Sequence, residues 1–223
     1  DPDNCGTCGT SCNGQICEGM ACKKCTSDSQ CASGLTCDSA SGRCLCGSGC
    51  NWLKSLGTSK ASVWTLGVAV SPSQDVYIGG EFSGTIRTEK GDTYVSQGAA
   101  TNLFFARLDS AGRLKWFRSI QATGATSIIE SKRVRLAVGS DEHLYVATTI
   151  SGAKDTKITV DTGVPQLSLR GGSDIFVGKL DSNGEWLWAL STGGEGEDYA
   201  NGLALGSNKV YIAGRFQKTA AFG

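Results

Sequence analysis

All eleven cysteines of this chain fall between Cys5 and Cys50, and residues 51–223 contain none. The chain therefore poses two separate folding problems. Residues 1–50 carry few apolar side chains, nearly all of them Ile16, Met20, Leu35 and Leu45. A segment of that size cannot bury enough surface to hold itself together. Cross-links must limit its unfolded ensemble, each contributing about 2–4 kcal/mol. Residues 51–223 are long enough to build a core by burial alone. Dense cysteine with a single histidine, His143, suits an oxidising, extracellular setting.

The cysteines are Cys5, Cys8, Cys12, Cys17, Cys22, Cys25, Cys31, Cys37, Cys44, Cys46 and Cys50, separated mainly by Gly, Ser, Thr, Asn and Asp. Those are turn formers, so an irregular module tied by disulfides is expected. Because eleven is odd, at least one thiol is free, or pairs with another chain, or pairs with a cysteine outside this fragment. Cys46 and Cys50 are candidates by their position beside the domain junction. Metal is the alternative, since Cys5-x2-Cys8 and Cys22-x2-Cys25 have zinc or iron–sulfur spacing. No histidine lies nearby and seven cysteines would be left without a role, which favours disulfides. Asp1-Pro-Asp-Asn-Cys-Gly-Thr-Cys-Gly-Thr-Ser-Cys12 resembles the DPxNCGxCGxxC repeat of secreted and cell-surface proteins of myxobacteria and related delta-proteobacteria. Cys25 to Cys46, C-x5-C-x5-C-x6-C-x-C, resembles small extracellular disulfide modules.

Lys+Arg and Asp+Glu are 21 each, giving zero formal charge. No basic stripe points to nucleic acid. Low net charge weakens repulsion between copies and favours self-association. No apolar run reaches the roughly 18–20 residues of a membrane span. The first residue is Asp1, and we read the chain as a processed piece of an exported precursor.

Residues 51–223 repeat themselves. Val76-Tyr-Ile-Gly-Gly80 matches Leu144-Tyr-Val-Ala-Thr148 and Val210-Tyr-Ile-Ala-Gly214. Each follows a small, apolar run: Gly67–Val70, Arg135–Val138 and Gly202–Leu205. Phe104-Phe-Ala-Arg-Leu-Asp-Ser-Ala-Gly112 matches Ile175-Phe-Val-Gly-Lys-Leu-Asp-Ser-Asn-Gly184, and Trp52, Trp116 and Trp188 recur at one place. Short alternating runs rich in β-branched and aromatic residues predict strands, and the Asp-x-x-Gly segments predict hairpin turns. Nothing predicts a helix. The expected fold is all-β: four-stranded antiparallel propeller-type blades in an incomplete array, preceded by the small disulfide-rich module. The expected division is 1–50 and 51–223, with units at about 52–115, 116–187 and a partial 188–223.

The pattern resembles the bacterial SBBP-type β-propeller repeat family, most closely over Asp174–Leu190. That resemblance implies export and a fold, with no shared activity. The array holds about two and two-thirds units, whereas propellers close with roughly 4–8 blades, so the chain is a fragment of a longer one, or its units form an open sandwich, or copies complete one another across an interface. Insertions at 85–101 and 150–173 are expected to be edge loops, where binding would concentrate.

No residue is expected to be catalytic, cofactor-binding or metal-binding. His143 reads as a turn residue, lacking a second histidine to assist it. Asp109 and Asp181 read as turn caps, with calcium the one ion their turns would suit. Glu195-Gly-Glu-Asp198 is the best candidate for a divalent cation, although a solvated loop is the simpler reading. The in-register tryptophans read as core, leaving Trp64 and Trp186 for the surface. These readings lead us to expect a secreted or cell-surface structural protein, a non-enzyme subunit of a fibre, layer or matrix. Its partners would be its own copies, without nucleic acid. The alternatives are an adhesin module binding a glycan or a surface protein, and a secreted polysaccharide-active enzyme on a propeller scaffold.

Overall fold

The computed structural model describes residues 15–18, 21–31, 35–46, 61–96, 101–123, 133–160, 163–207 and 209–221. The chain divides into two compact units. One contains residues 1–54 with the turns at 72–75 and 108–113, and the other contains the remaining β-structure.

In the cysteine unit, β1 (Ile16–Glu18) pairs with β2 (Ala21–Lys23), and β3 (Leu35–Asp38) pairs with β4 (Arg43–Cys46). A 3-10 turn, Asp28–Gln30, lies between the hairpins. The Asp28 carboxylate ties it to β3 by accepting the Cys37 N–H at 2.7 Å. Disulfides join Cys25 to Cys37 and Cys31 to Cys44, an interleaved pairing, and Cys22 is also disulfide-bonded. The Sγ atoms of Cys25, Cys31 and Cys44 lie within 4.8 Å of one another because the two bridges are adjacent. Cys22 and Cys25 thus spend their sulfurs on disulfides, so Cys22-x2-Cys25 offers no thiolate pair to a metal. Cys5, Cys8, Cys12, Cys50 and the side chains of Cys17 and Cys46 lie outside the described residues.

Among the described residues the strands of the second unit pair antiparallel, with one isolated parallel bridge between Ser173 and Glu197. Its strands are β5 (Ala61–Val70), β6 (Val76–Arg87), β7 (Thr93–Val95), β8 (Asn102–Leu108), β9 (Leu114–Thr123), β10 (Val134–Val138), β11 (Leu144–Ser151), β12 (Lys157–Thr159), β13 (Leu167–Ser168), β14 (Ser173–Leu180), β15 (Trp186–Gly194), β16 (Tyr199–Leu205), β17 (Val210–Arg215) and β18 (Ala220–Ala221). The first sheet runs β13-β12-β9-β8-β6-β5, with β7 also on β6. The second runs β10-β11-β14-β15-β18, and β16 and β17 form a separate hairpin. The matching motifs occupy matching strands. Val-Tyr-Ile-Gly lies on β6, β11 and β17, and Phe-Val-x-Lys-Leu on β8 and β14. The tryptophan strand hydrogen-bonds last in this set, as β9 and β15. Trp52, whose strand was expected to open the array, lies outside the described residues.

Strand alternation decides what each face buries. Leu103, Phe105, Trp116 and Ile120 of the first sheet pack against Leu144, Val146, Phe176, Leu180 and Trp186 of the second. The opposite face of the first sheet buries Phe82, Phe104 and Phe117, with the Phe104 and Phe117 rings stacked 5.3 Å apart. The far face of the second sheet, with Ile175 and Val177, packs on Ala200, Leu203 and Ile212 of the β16–β17 hairpin.

The insertions are not free loops. Residues 150–173 supply β12, which pairs with β9, and they bury Ile158, Val160, Val164 and Leu169. Residues 85–101 supply β7, and the Tyr94 ring lies 4.5 Å from that of Phe117.

Trp186 departs from expectation. It is buried, edge-on to Phe105 and Phe176 at 5.8 and 5.9 Å. Lys179 pairs with Trp188 and Leu180 with Trp186, so β15 carries an extra residue, Leu187. A bulge turns Trp186 and Trp188 to opposite faces, although they are two residues apart. Gly178 makes room for the Trp186 ring, since a Cβ there would lie 2.5 Å from it.

Candidate functional site at the end of the repeats

The hairpin turns that close each strand pair form as their sequences require. Gly112 and Gly184 adopt positive φ. Asp109 Oδ1 accepts the N–H groups of Ala111 and Arg113, both at 2.9 Å, and Asp181 Oδ1 accepts those of Asn183 and Glu185, both at 2.8 Å. Both carboxylates cap their own turns.

The turns at Glu142 and Ser182, with β6, β8 and β9, build a polar seam where the first sheet meets the second. The Tyr77 hydroxyl donates to the Glu142 carbonyl at 2.8 Å. The Arg107 guanidinium lies 5.1 Å from the Tyr77 ring centre and donates to Glu142 Oε2 at 2.9 Å and to the Ser182 carbonyl at 2.7 Å. The Trp116 indole N–H donates to the same Ser182 carbonyl at 3.0 Å. The second sheet carries the same kit one repeat on. Lys179 sits 4.8 Å over the Tyr145 ring and 3.4 Å from Asp141. Burial pulls the Lys179 ammonium pKa down, but the Tyr145 hydroxyl and Asp141 outweigh it and hold the pKa above the usual range. His143 rests with Nδ1 2.8 Å from Asp141 in the same turn, a structural position.

The acidic run Glu195–Asp198 does not converge on an ion. Glu195 pairs with Lys154 at the surface. Glu197 accepts the hydroxyls of Ser173 at 2.7 Å and Tyr199 at 2.8 Å, which hold its carboxyl below the usual range. Asp198 is fully buried and accepts the N–H groups of Gly194 and Gln217. Desolvation pushes the Asp174 carboxyl pKa up, and the charge of Asp198 adds to the rise.

Two depressions flank the terminal hairpin. A polar cleft of about 680 Å³ is lined by Arg133, Ser151, Ser173, Glu197, Tyr199 and Arg215, among others. Arg133 is anchored to Asn201 Oδ1 at 3.0 Å, and Arg215 lies 4.4 Å over the Tyr199 ring. Two guanidiniums, one carboxylate and several hydroxyls face this space. The spacing of the sequence held no sign of it, because the lining comes from five separated segments. Only its ends, Ser151 and Gly172–Ser173, touch the 150–173 insertion. The second depression is an apolar groove of about 550 Å³ lined by Ile175, Val177, Trp188 and Leu190 on one side and Val210 and Ile212 on the other. The exposed aromatic Trp64, 50% accessible, lies on β5.

The chain matches no protein-family model. It is similar to part of the regulatory protein FlaEY of Caulobacter vibrioides, at 36% identity over 110 residues. That stretch is 49% of this chain and 11% of that protein, so the chain spans only a small part of the relative's length. No helix among the described residues is long and apolar enough to cross a membrane.

The ends of the array differ from its middle. Leu136 and Val138 are packed between the sheets, whereas their counterparts on β5, Val68 and Val70, are 66% and 56% exposed. Tyr77 is fully buried, whereas its counterpart Tyr211 is 57% exposed.

Proposed function

We propose that this chain is an extracellular or cell-surface structural subunit, built of propeller-type four-stranded blades that assemble end to end. One observation carries this reading: residues buried where sheet meets sheet inside the chain are exposed at both ends of the array. Val68 and Val70 occupy the places of Leu136 and Val138, and Tyr211 occupies the place of Tyr77. One copy's terminal hairpin can therefore meet another copy's first sheet as the second sheet meets the first. Such a contact is heterologous and propagates unless its rotation closes a ring. Zero net charge leaves it unopposed. The disulfides fit an oxidising compartment, and an odd cysteine count supplies a thiol for a covalent tie between copies. The likeness to a short part of a regulatory protein supports a domain that longer proteins reuse.

Light scattering on unreduced protein, repeated after reduction, tests the reading. The expected result is a concentration-dependent assembly that shrinks with reductant. A monomer at high concentration in both conditions would reject it.

The adhesin reading draws on the polar cleft, whose guanidiniums and hydroxyls suit an acidic, polyhydroxylated glycan. Binding on a glycan array that disappears in Arg215→Ala would favour it.

A further inference from the structure

We propose that the two interleaved disulfides of the cysteine unit form a thiol-exchange relay, in which a thiolate that bonds to one partly exposed sulfur, Cys31 or Cys37, releases a thiolate at the other. This is a covalent chemistry of the cysteine unit alone, separate from assembly through the β-sheets.

Each bridge has one inner and one outer sulfur. Cys25 and Cys44 are buried, at 2% and 7% exposure, whereas Cys31 and Cys37 are partly exposed. Cys25 is bonded to Cys37 and Cys44 to Cys31, so each inner sulfur is joined to an outer one. The inner sulfurs are neighbours, because Cys25 Sγ lies within 4.8 Å of the Sγ atoms of both Cys44 and Cys31. Backbone contacts hold this arrangement without help from sulfur. The Cys25 N–H donates to the Gly42 carbonyl at 2.9 Å. Gly42, in the turn between β3 and β4, has a φ of 68° and lies against the Lys24 side chain. Cys44 follows on β4, directly opposite Cys37. The Asp28 carboxylate ties the turn that leads into Cys31 to β3 at the Cys37 N–H. Exchange of one bridge for another leaves these contacts standing.

The entering group is a thiolate. It attacks Cys31 Sγ, a mixed disulfide forms, the Cys31–Cys44 bond breaks, and the electron pair leaves on Cys44. That thiolate is buried, and burial disfavours the charged form. It attacks Cys25 Sγ beside it, forms a Cys25–Cys44 bond, and expels Cys37 as a thiolate. Attack at Cys37 runs the mirror course: Cys25 leaves, bonds to Cys44 and expels Cys31. Each step forms one S–S bond and breaks one, so nothing beyond the entering thiolate is consumed. The second step is driven by the passage of charge from a buried sulfur to one that water reaches. Two bridges acting only as staples would instead leave the charge on the partner of the attacked sulfur.

Reduced glutathione, one equivalent added to the full chain and trapped with iodoacetamide, tests the relay by peptide mapping. We expect glutathione on Cys31 with the alkyl group on Cys37, or the reverse, and in both cases a Cys25–Cys44 bridge. These species should exceed those alkylated at Cys44 or Cys25 by about tenfold, the ratio for thiols whose pKa values differ by about one unit. In the double variant Cys25→Ser with Cys37→Ser the accepting bridge is gone, and alkylation should stay on Cys44. A folded protein with one surface thiol, run in parallel, separates the two sources of thiolate. Adducts from glutathione alone confine the relay to small thiols, and adducts from both extend it to polypeptides. Alkylation that stays on Cys44 or Cys25 in the parent chain overturns the relay, as does the absence of any adduct at Cys31 and Cys37 in millimolar glutathione. Peptide mapping and light scattering are independent readouts, so either proposal can fail while the other stands.

Discussion

Asp198 has no solvent contact, and its two carboxylate oxygens hold the N–H groups of Gly194 and Gln217. Removing it strands the buried Gly194 N–H, so Asp198→Ala should cost about 2 kcal/mol, read as a lower urea midpoint. Asp174, close by, acts in the opposite sense. Desolvation raises its folded pKa, helped by the charge of Asp198. Its folded carboxyl thus holds a proton more tightly than the unfolded one, and its effect on stability turns unfavourable as pH rises through the folded value. Asp174→Asn keeps an acceptor for the Arg170 N–H, which Asp174 Oδ2 now takes at 2.8 Å. At neutral pH this variant should be more stable than the parent, because the neutral amide escapes the desolvation that the Asp174 carboxylate meets. Urea titrations at a series of pH values should show the gap closing as pH falls below the folded pKa of Asp174. A gap that widens at low pH would contradict this. Glu197 has a lowered pKa, and its contribution is lost as pH falls. It is common to both proteins and cancels in the difference.

At the scale of elements, the β15 bulge and the two interleaved disulfides carry the clearest consequences. Gly178→Val puts a branched side chain where the Trp186 ring lies. Overpacking of this kind costs about 1–3 kcal/mol, and it should appear in thermal melts together with a shift in tryptophan emission as Trp186 moves. Cys31→Ser with Cys44→Ser opens a loop of separation 13, worth about 3 kcal/mol in the unfolded ensemble. Limited proteolysis should then cut within residues 35–46 well before the β-sheets are lost by circular dichroism. Simultaneous loss of both units would contradict the division of the chain. The insertions show why element-level reading of the sequence went astray. Residues 150–173 hold scattered polar and turn residues, which read as a loop. Yet Ile158, Val160, Val164 and Leu169 are inside, because β12 adds to the edge of β9 in the preceding sheet. That partner is more than thirty residues upstream, out of reach of local periodicity.

At the scale of the whole molecule, end-to-end contact has a signature that symmetric dimerisation lacks. Val68→Lys spoils one end and Tyr211→Lys the other. Each variant alone should be monomeric in light scattering, and an equimolar mixture should yield a one-to-one dimer that grows no further. Dimers formed by either variant alone would point to a self-complementary contact instead.

What the sequence determined by itself was the chain's local chemistry. Cysteine placement separated a stapled segment from a packed one, and the recurring Val-Tyr-Ile-Gly and Lys-Leu-Asp motifs predicted the strands. The Asp-x-x-Gly turns could be read as caps, because an aspartate three residues before a positive-φ glycine is satisfied by its own turn's backbone. These are interactions over a few residues, and alternation and turn chemistry suffice for them. Tertiary structure decided which face each side chain took and where the repeats stopped covering one another. It buried Trp186 through a bulge that alternation could not register. It brought Arg133, Ser151, Ser173, Glu197 and Arg215 around one cleft. It also gave three equivalent tyrosines three environments: Tyr77 sealed beneath Arg107, Tyr145 half-covered by Lys179, and Tyr211 open to solvent. Similar local sequence ended in different surroundings because burial depends on which sheet lies opposite, and a motif does not carry that information.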